Sequence, residues 1–317
     1  MADATRVGII SNPAGRHNSR GGLAAIETVL AAYRAVPHCL ARDPDEIENA
    51  LGKLAATGVT QVVLNGGDGT VQAALTTLAL RSPFPQPPQL LVLAGGTSNM
   101  TAYGLGSHGR PQRLLQRLLT GALTTTRQRV LIVQETNGAT RCGFFFNAGG
   151  LPQAVSECNA FRERTPWPGM RSALGTGLWI TGRLSRMLWG QAPVTAVPIM
   201  LCLDHTASIQ HDFLVIVLTT LPRLAFGLTP WWGGGSGALR YTGIRRPALR
   251  LPLALPGILR GRPPAWADVA AGYESAAPGT AVLTPDGVYA LDGEGYQPPA
   301  GTELKVSAGP EFEFLRP

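Results

Sequence analysis

Lysine is nearly missing from this 317-residue chain: Lys53 and Lys305 stand beside 25 Arg. Charged residues of all kinds reach only 15%, against 44% hydrophobic, which excludes a self-repelling disordered chain and leaves ample material for a core. Cysteine is scarce too. Cys39, Cys142, Cys158 and Cys202 lie too far apart for a zinc or redox motif and are too few for a disulfide scaffold, so reduced thiols in a cytoplasmic protein are expected. The five His, at 17, 38, 108, 205 and 211, show no metal-ligand spacing. The most apolar stretches, Phe213 to Leu218 and Val194 to Leu203, fall far below the roughly 20 residues that span a bilayer. No basic segment precedes an apolar one near Met1, so no signal peptide is expected. Internal repeats and long low-complexity segments are absent.

What the chain does have is length, arginine and glycine. Its length favours two domains over one. The net charge of +7 is unevenly placed: between Ala160 and Arg262 twelve Arg face Glu163, Asp204 and Asp212, a net +9, and the rest carries −2. Such a basic second half points to an anionic surface or substrate, or reflects a plain preference for Arg as the solubilising charge. The Arg residues are scattered through apolar strands without an interleaved aromatic platform, so nucleic acid is not an expected partner.

The first 120 or so residues alternate strand and helix patterns. Arg6 to Ile10 reads as a strand and Gly22 to Tyr33 as a helix; Pro37 to Leu40 is a short strand, and Asp43-Pro44-Asp45-Glu46 opens a second helix with proline in its first turn. Gln61-Val62-Val63-Leu64 then empties into Asn65-Gly66-Gly67-Asp68-Gly69-Thr70, before a helix over Thr70 to Leu80. A strand that ends in glycines exposes bare N–H groups, and a following helix start favours the same anions, so this junction predicts a polyphosphate cradle. A second junction repeats the pattern: Leu90-Leu91-Val92-Leu93 runs into Ala94-Gly95-Gly96-Thr97-Ser98-Asn99, followed by a helix over Gln112 to Leu119. The alternation predicts a doubly wound parallel sheet, in which ligands sit beyond the carboxyl ends of the strands.

After Thr124 the grammar becomes that of an antiparallel β domain. Strands are predicted over 129–135, 143–147, 194–204, 208–219, 280–284, 288–291, 303–307 and 311–315, with hairpin signals at Asp204-His205 and Asp286-Gly287 and one helical insert over Met170 to Trp189. Trp231-Trp232 is either an interfacial anchor or a packed corner. Arg16 and Arg20, after the first strand, are candidates to touch phosphate.

Three motifs at strand ends, Asn12-Pro13-Ala14-Gly15, Gly66-Gly67-Asp68-Gly69-Thr70 and Gly96-Thr97-Ser98-Asn99, together with the late Leu291-Asp292-Gly293-Glu294, make the chain resemble the diacylglycerol kinase catalytic-domain family, lipid kinases that include sphingosine and ceramide kinases. The likeness runs over nearly the whole chain. It implies an NAD-kinase/diacylglycerol-kinase-like α/β nucleotide domain, 1–125 with a returning tail 302–317, and an antiparallel β-sandwich lipid-substrate domain, 126–301. It implies ATP and Mg2+ as cofactors: Asn12, Gly66, Gly67, Asp68, Gly69, Thr70, Gly96, Thr97 and Asn99 would hold the nucleotide, Asp68 and Asp292 the metal. Glu294 would be the general base, with Asp292 and Asp68 beside it in catalysis.

Chemistry alone supports the scheme, since phosphoryl transfer needs phosphate neutralisation, a metal and a carboxylate near the attacking hydroxyl. Asp292 and Glu294 are two apart and on a continued strand would share one face; read bare, Asp-Gly-Glu-Gly is a hairpin turn. The chain also departs from the family. Gly235-Ser236-Gly237-Ala238-Leu239 lacks the usual carboxylates, so no structural magnesium is expected there; Ala94 replaces a proline, Met100-Thr101-Ala102 replaces Asp-Phe-Ala, and a customary threonine near Leu40-Ala41 is missing. The expected activity is transfer of the γ-phosphate of ATP to a hydroxyl of a diacylglycerol-like or sphingoid-like lipid, at the anionic inner face of a membrane; a homodimer stays open. The alternatives are a kinase of a soluble substrate such as NAD, and a catalytically silent nucleotide or lipid sensor.

Overall fold

The computed structural model describes residues 6–96, 100–154, 157, 195–224 and 227–317. The predicted helical insert at 170–189, Cys158, and Thr97 to Asn99 of the third motif lie outside them. The first half is built from β1 (Val7–Ser11), α1 (Gly22–Leu30), β2 (His38–Leu40), α2 (Pro44–Ala56), β3 (Gln61–Gly66), α3 (Asp68–Leu80), β4 (Gln89–Ala94), α4 (Met100–Gly104) and α5 (Pro111–Leu119). β2, β1, β3 and β4 pair in parallel in that order. Their near-continuous apolar runs are explained by burial on both faces. Val62 and Leu64 pack with Leu51, Leu54 and Leu75 of α2 and α3, whereas Val63 packs with Ile26, Leu114 and Leu118 of α1 and α5. The α2 start follows the sequence: Asp43 accepts from the Glu46 N–H at 2.8 Å, and the Glu46 carboxylate accepts from the Arg42 N–H at 2.6 Å.

The second half is antiparallel, as its turn spacing predicts. It comprises β5 (Thr124–Glu135), β6 (Thr140–Gly143), β7 (Phe145–Ala148), β8 (Val197–Leu203), β9 (Ile209–Thr219), β10 (Arg240–Arg245), α6 (Leu251–Ile258), β11 (Tyr273–Ala276), β12 (Thr280–Pro285), β13 (Tyr289–Leu291), β14 (Glu294–Tyr296) and β15 (Leu304–Arg316). The two halves are joined in one hydrogen-bonded order, β14-β13-β7-β9-β8-β12-β15-β4-β3-β1-β2. β15 is the hinge of that order, antiparallel to β12 and β5 and parallel to β4 at Phe314 and Leu90.

Three local expectations need correction. The tail forms one strand, not two, because Gly309-Pro310 falls at a bulge between Ala308 and Glu311, where no ladder N–H is required. The helix after the first glycine turn starts at Asp68, not Thr70, since Gly67 takes the N-cap position and its carbonyl accepts from the Thr70 and Val71 N–H groups. α4, β10, β11, α6 and β14 have no counterpart among the predicted elements, and β6 meets the predicted strand over 143–147 only at Gly143. α6 is an eight-residue helix holding two prolines and no polar side chain, a composition without amphipathic period.

Candidate active site

The carboxyl ends of β1, β3 and β4 open onto a cavity of about 900 Å³ whose opposite wall comes from the antiparallel half. Asn12, Gly67, Asp68, Gly69, Thr70 and Gly96 line the first wall; Arg141, Glu294 and Tyr296 line the second. The sequence places Asp68 and Glu294 226 positions apart, and the fold brings them to one space.

The first wall is mostly backbone. Asn12 folds its own loop by accepting from the Ala14 N–H at 2.9 Å, and its amide donates to Thr70 Oγ1 at 3.1 Å. Asn18 locks the two strand ends beneath by donating to the carbonyls of Asn12, at 2.8 Å, and Asn65, at 3.1 Å. Gly66 sits behind the lining. A β-carbon there would lie 2.5 Å from Thr70 Oγ1, so only glycine lets the turn close onto α3. Asp68, buried in the first turn of α3, accepts from the Thr101 N–H at 3.1 Å and so ties this turn to α4 after the third motif. The N-terminal end of α3, where the helix dipole is positive, favours an anion.

The second wall is made of side chains. β13 and β14 form a hairpin whose two turn residues, Asp292 and Gly293, have φ of 51° and 90°. The bare reading of Asp-Gly-Glu-Gly as a turn is therefore right, and the expectation that Asp292 and Glu294 share a strand face is corrected: the chain reverses between them. Glu294 projects into the cavity; a β-carbon placed on Gly69 would lie 3.5 Å from its Oε1. Asp292 is 3% exposed and lies behind the cavity wall. Both its oxygens accept from the Phe144 N–H at 3.1 Å, and Oδ1 also from the Phe145 N–H at 2.8 Å. Gly143 leaves room for it, since a β-carbon there would stand 2.5 Å from Asp292 Oδ2. Burial pushes the Asp292 carboxyl up to about 7; the two amides pull it down and the charge of Asp68 raises it further.

Gln72 joins the two walls, and sequence reading passed it by. From α3 its amide donates to the Leu291 carbonyl at 3.3 Å, and its Oε1 accepts from the Tyr296 hydroxyl. Arg141 and Tyr296 were likewise unforeseen. The Arg141 guanidinium lies 4.2 Å from the centre of the Tyr296 ring and pairs with buried Glu135. Glu135 also accepts from the Tyr289 hydroxyl and the Asn137 amide, each at 2.7 Å. Burial opposes ionisation of Glu135, yet these three donors hold its carboxyl below the usual range. Two signals point to such residues: Gln72 is the polar position one helical turn after Asp68, and Tyr296 sits on the same strand face as Glu294.

Of the other expectations, Arg16 and Arg20 are exposed and not part of the lining; Arg42 and Arg81 line the cavity instead. Trp231 and Trp232 are half-buried, and Trp232 packs with Trp266 against the cluster under α6. Among the described residues no group of three or more His, Cys, Asp or Glu is placed to hold a metal alone.

Residues 6–128 match the family model for the diacylglycerol kinase catalytic domain, so this part of the chain is similar to a kinase domain. The chain is similar to the crystal structure of a diacylglycerol kinase from Bacillus anthracis str. Sterne, at 13% identity and a TM-score of 0.60, covering 100% of this chain and 98% of that one. It is also similar to yeast NADH kinase complexed with NADH, at 13% identity and a TM-score of 0.51, covering 100% and 84%. No curated protein matches the chain by sequence.

Proposed function

We propose that this protein is a kinase that transfers the γ-phosphate of ATP to a hydroxyl of a diacylglycerol-like or sphingoid-like lipid. The observation that carries the reading is the shared cavity, where glycine-turn amides meet Glu294. Residues 1–125 with 302–317 form the nucleotide-binding unit in this reading, and 126–301 the lipid unit. The amides of Gly67 and Gly69 bind phosphate oxygens, with Asn12, Thr70 and Gly96 around them; Gly66 gives the turn its shape, and Thr97 and Asn99 belong to the same motif. Glu294 accepts the proton of the lipid hydroxyl as its oxygen attacks phosphorus, and ADP leaves with the bridging oxygen.

Mg2+ suits the donors present, because it takes one or two carboxylates and completes its shell with phosphates and water. Asp68 would hold it, and when bound it neutralises charge on the phosphates. Asp292, with both oxygens already on amides, positions the hairpin and supports Asp68 and Glu294 from behind. No described helix is long and apolar enough to cross a membrane. The protein works in this reading as a peripheral enzyme at the cytoplasmic face of an anionic membrane.

The test offers radiolabelled ATP with vesicles containing diacylglycerols, sphingoid bases and ceramides. Labelled lipid is expected with the wild type and not with Glu294→Gln. If every lipid extract stays unlabelled, the reading fails; label on NAD in a vesicle-free assay would reassign the chain to soluble substrates.

A further inference from the structure

α6 presents an anomaly of composition. Its sequence, Leu-Pro-Leu-Ala-Leu-Pro-Gly-Ile, has no polar side chain, and a helix apolar all round is ordinarily buried. Leu251, Ala254 and Ile258 do face inward, onto Leu214, Ile244 and Tyr273. The opposite face does not: Leu253 is 69% exposed, and nearby Leu249 and Val269 are 53% and 58% exposed. The segments of Leu249 and Val269 adjoin, since the Leu249 N–H donates to the Ala271 carbonyl at 3.1 Å and Arg245 donates to the Val269 carbonyl at 2.6 Å, and Leu253 follows one turn on, its N–H donating to the Arg250 carbonyl at 2.9 Å.

The rim of this patch is rich in arginine. From Phe213 to Ala267 the sequence has seven Arg and neither Asp nor Glu. Arg245 is spent on Glu274, 3.7 Å away, but Arg246, Arg250, Arg260 and Arg262 are exposed around α6. Arg250 lies 5.9 Å from the centre of the Trp266 ring, and Arg260 folds back to the Pro256 carbonyl at 3.1 Å. The acid beside the patch, Asp268, turns its carboxylate to the Ala271 N–H at 2.9 Å.

We infer that the outer face of α6, with Leu249, Leu253 and Val269 at its centre and Arg246, Arg250, Arg260 and Arg262 at its rim, is the surface by which the protein docks on an anionic lipid membrane. Aliphatic side chains enter the headgroup boundary while arginines meet anionic headgroups, the arrangement that gives peripheral helices their affinity. A second copy of the chain fits poorly, because a two-fold contact sets the same arginines against one another. The choice of occupant rests on the lipid-kinase reading above.

The experiment is co-sedimentation of the full chain with phosphatidylglycerol-containing vesicles and with pure phosphatidylcholine vesicles, alongside light scattering for oligomeric state. The wild type is expected to bind the anionic vesicles at least tenfold better, with affinity falling as salt rises. Leu253→Glu and the pair Arg260→Gln, Arg262→Gln should each weaken binding about tenfold while the melting temperature holds, since all three side chains face solvent. Wild-type-like vesicle binding by both variants overturns the inference, as does an oligomer that Leu253→Glu dissolves without any loss of vesicle binding. Activity is read separately on a monodisperse short-chain diacylglycerol. Activity there without vesicle docking sinks only the docking surface; docking without transfer to any lipid sinks only the kinase assignment.

Discussion

The two walls of the cavity are made differently. The glycine-turn wall offers backbone amides set by local chain geometry, with contacts such as Asn12 to Ala14 that span two positions. The hairpin wall offers side chains, and its placement depends on bonds between residues more than two hundred positions apart, such as Gln72 to Leu291. A backbone site tolerates side-chain change but not added atoms. A side-chain site is the reverse.

Glu294→Gln tests the second wall most severely. Losing a general base costs about 10²–10⁴-fold in kcat, and because Glu294 is exposed the unfolding free energy should stay within about 0.5 kcal/mol of wild type. An active Glu294→Gln enzyme would remove the side-chain half of the comparison. The matching test of the first wall is Gly66→Ala. The new methyl meets Thr70, so a loss of about 1–3 kcal/mol in stability is expected, together with weakened ATP binding by calorimetry. Gln72→Met probes the bridge: it leaves the Tyr296 hydroxyl and Leu291 carbonyl without their partner, costing about 1–3 kcal/mol. As a positioning residue it should lower kcat more than it weakens ATP binding, whereas a merely structural role would lower neither in the surviving folded fraction.

Glu135→Gln separates the ionic support of the hairpin wall from its shape. A carboxyl held below its ordinary value contributes stability above that value, and the contribution disappears as pH falls through the lowered one. The stability gap between wild type and Glu135→Gln should therefore be full at neutral pH, begin to narrow near the unperturbed glutamate value of about 4, and close only below the lowered folded value. The smallest effect is expected from Arg16→Ala and Arg20→Ala. Both are exposed and off the cavity, so ATP affinity should change less than about twofold and stability within about 0.5 kcal/mol.

The same contrast explains what the sequence revealed. Strands with both faces buried and glycine turns beyond them are local patterns, and so the parallel sheet and the glycine turn after β3 were legible. The long β15 was not, because Gly309-Pro310 reads as a turn wherever the partner strand is unknown. Gln72 and Arg141 escaped for a related reason: a lone polar residue gains meaning only from a distant partner. α6 escaped because two prolines and an unbroken apolar run hide the helical period.

β15 carries a consequence for how the molecule comes into being. Its 13 residues, about 43 Å of extended chain, supply neighbours to β12, β5 and β4 together. Until residues 304–316 have left the ribosome, β4 has an open flank and β5 lacks its principal mate. Neither half can be harvested as a stable fragment by cutting between them, and shortening the polypeptide ahead of Leu304 should leave an insoluble product rather than a smaller working one.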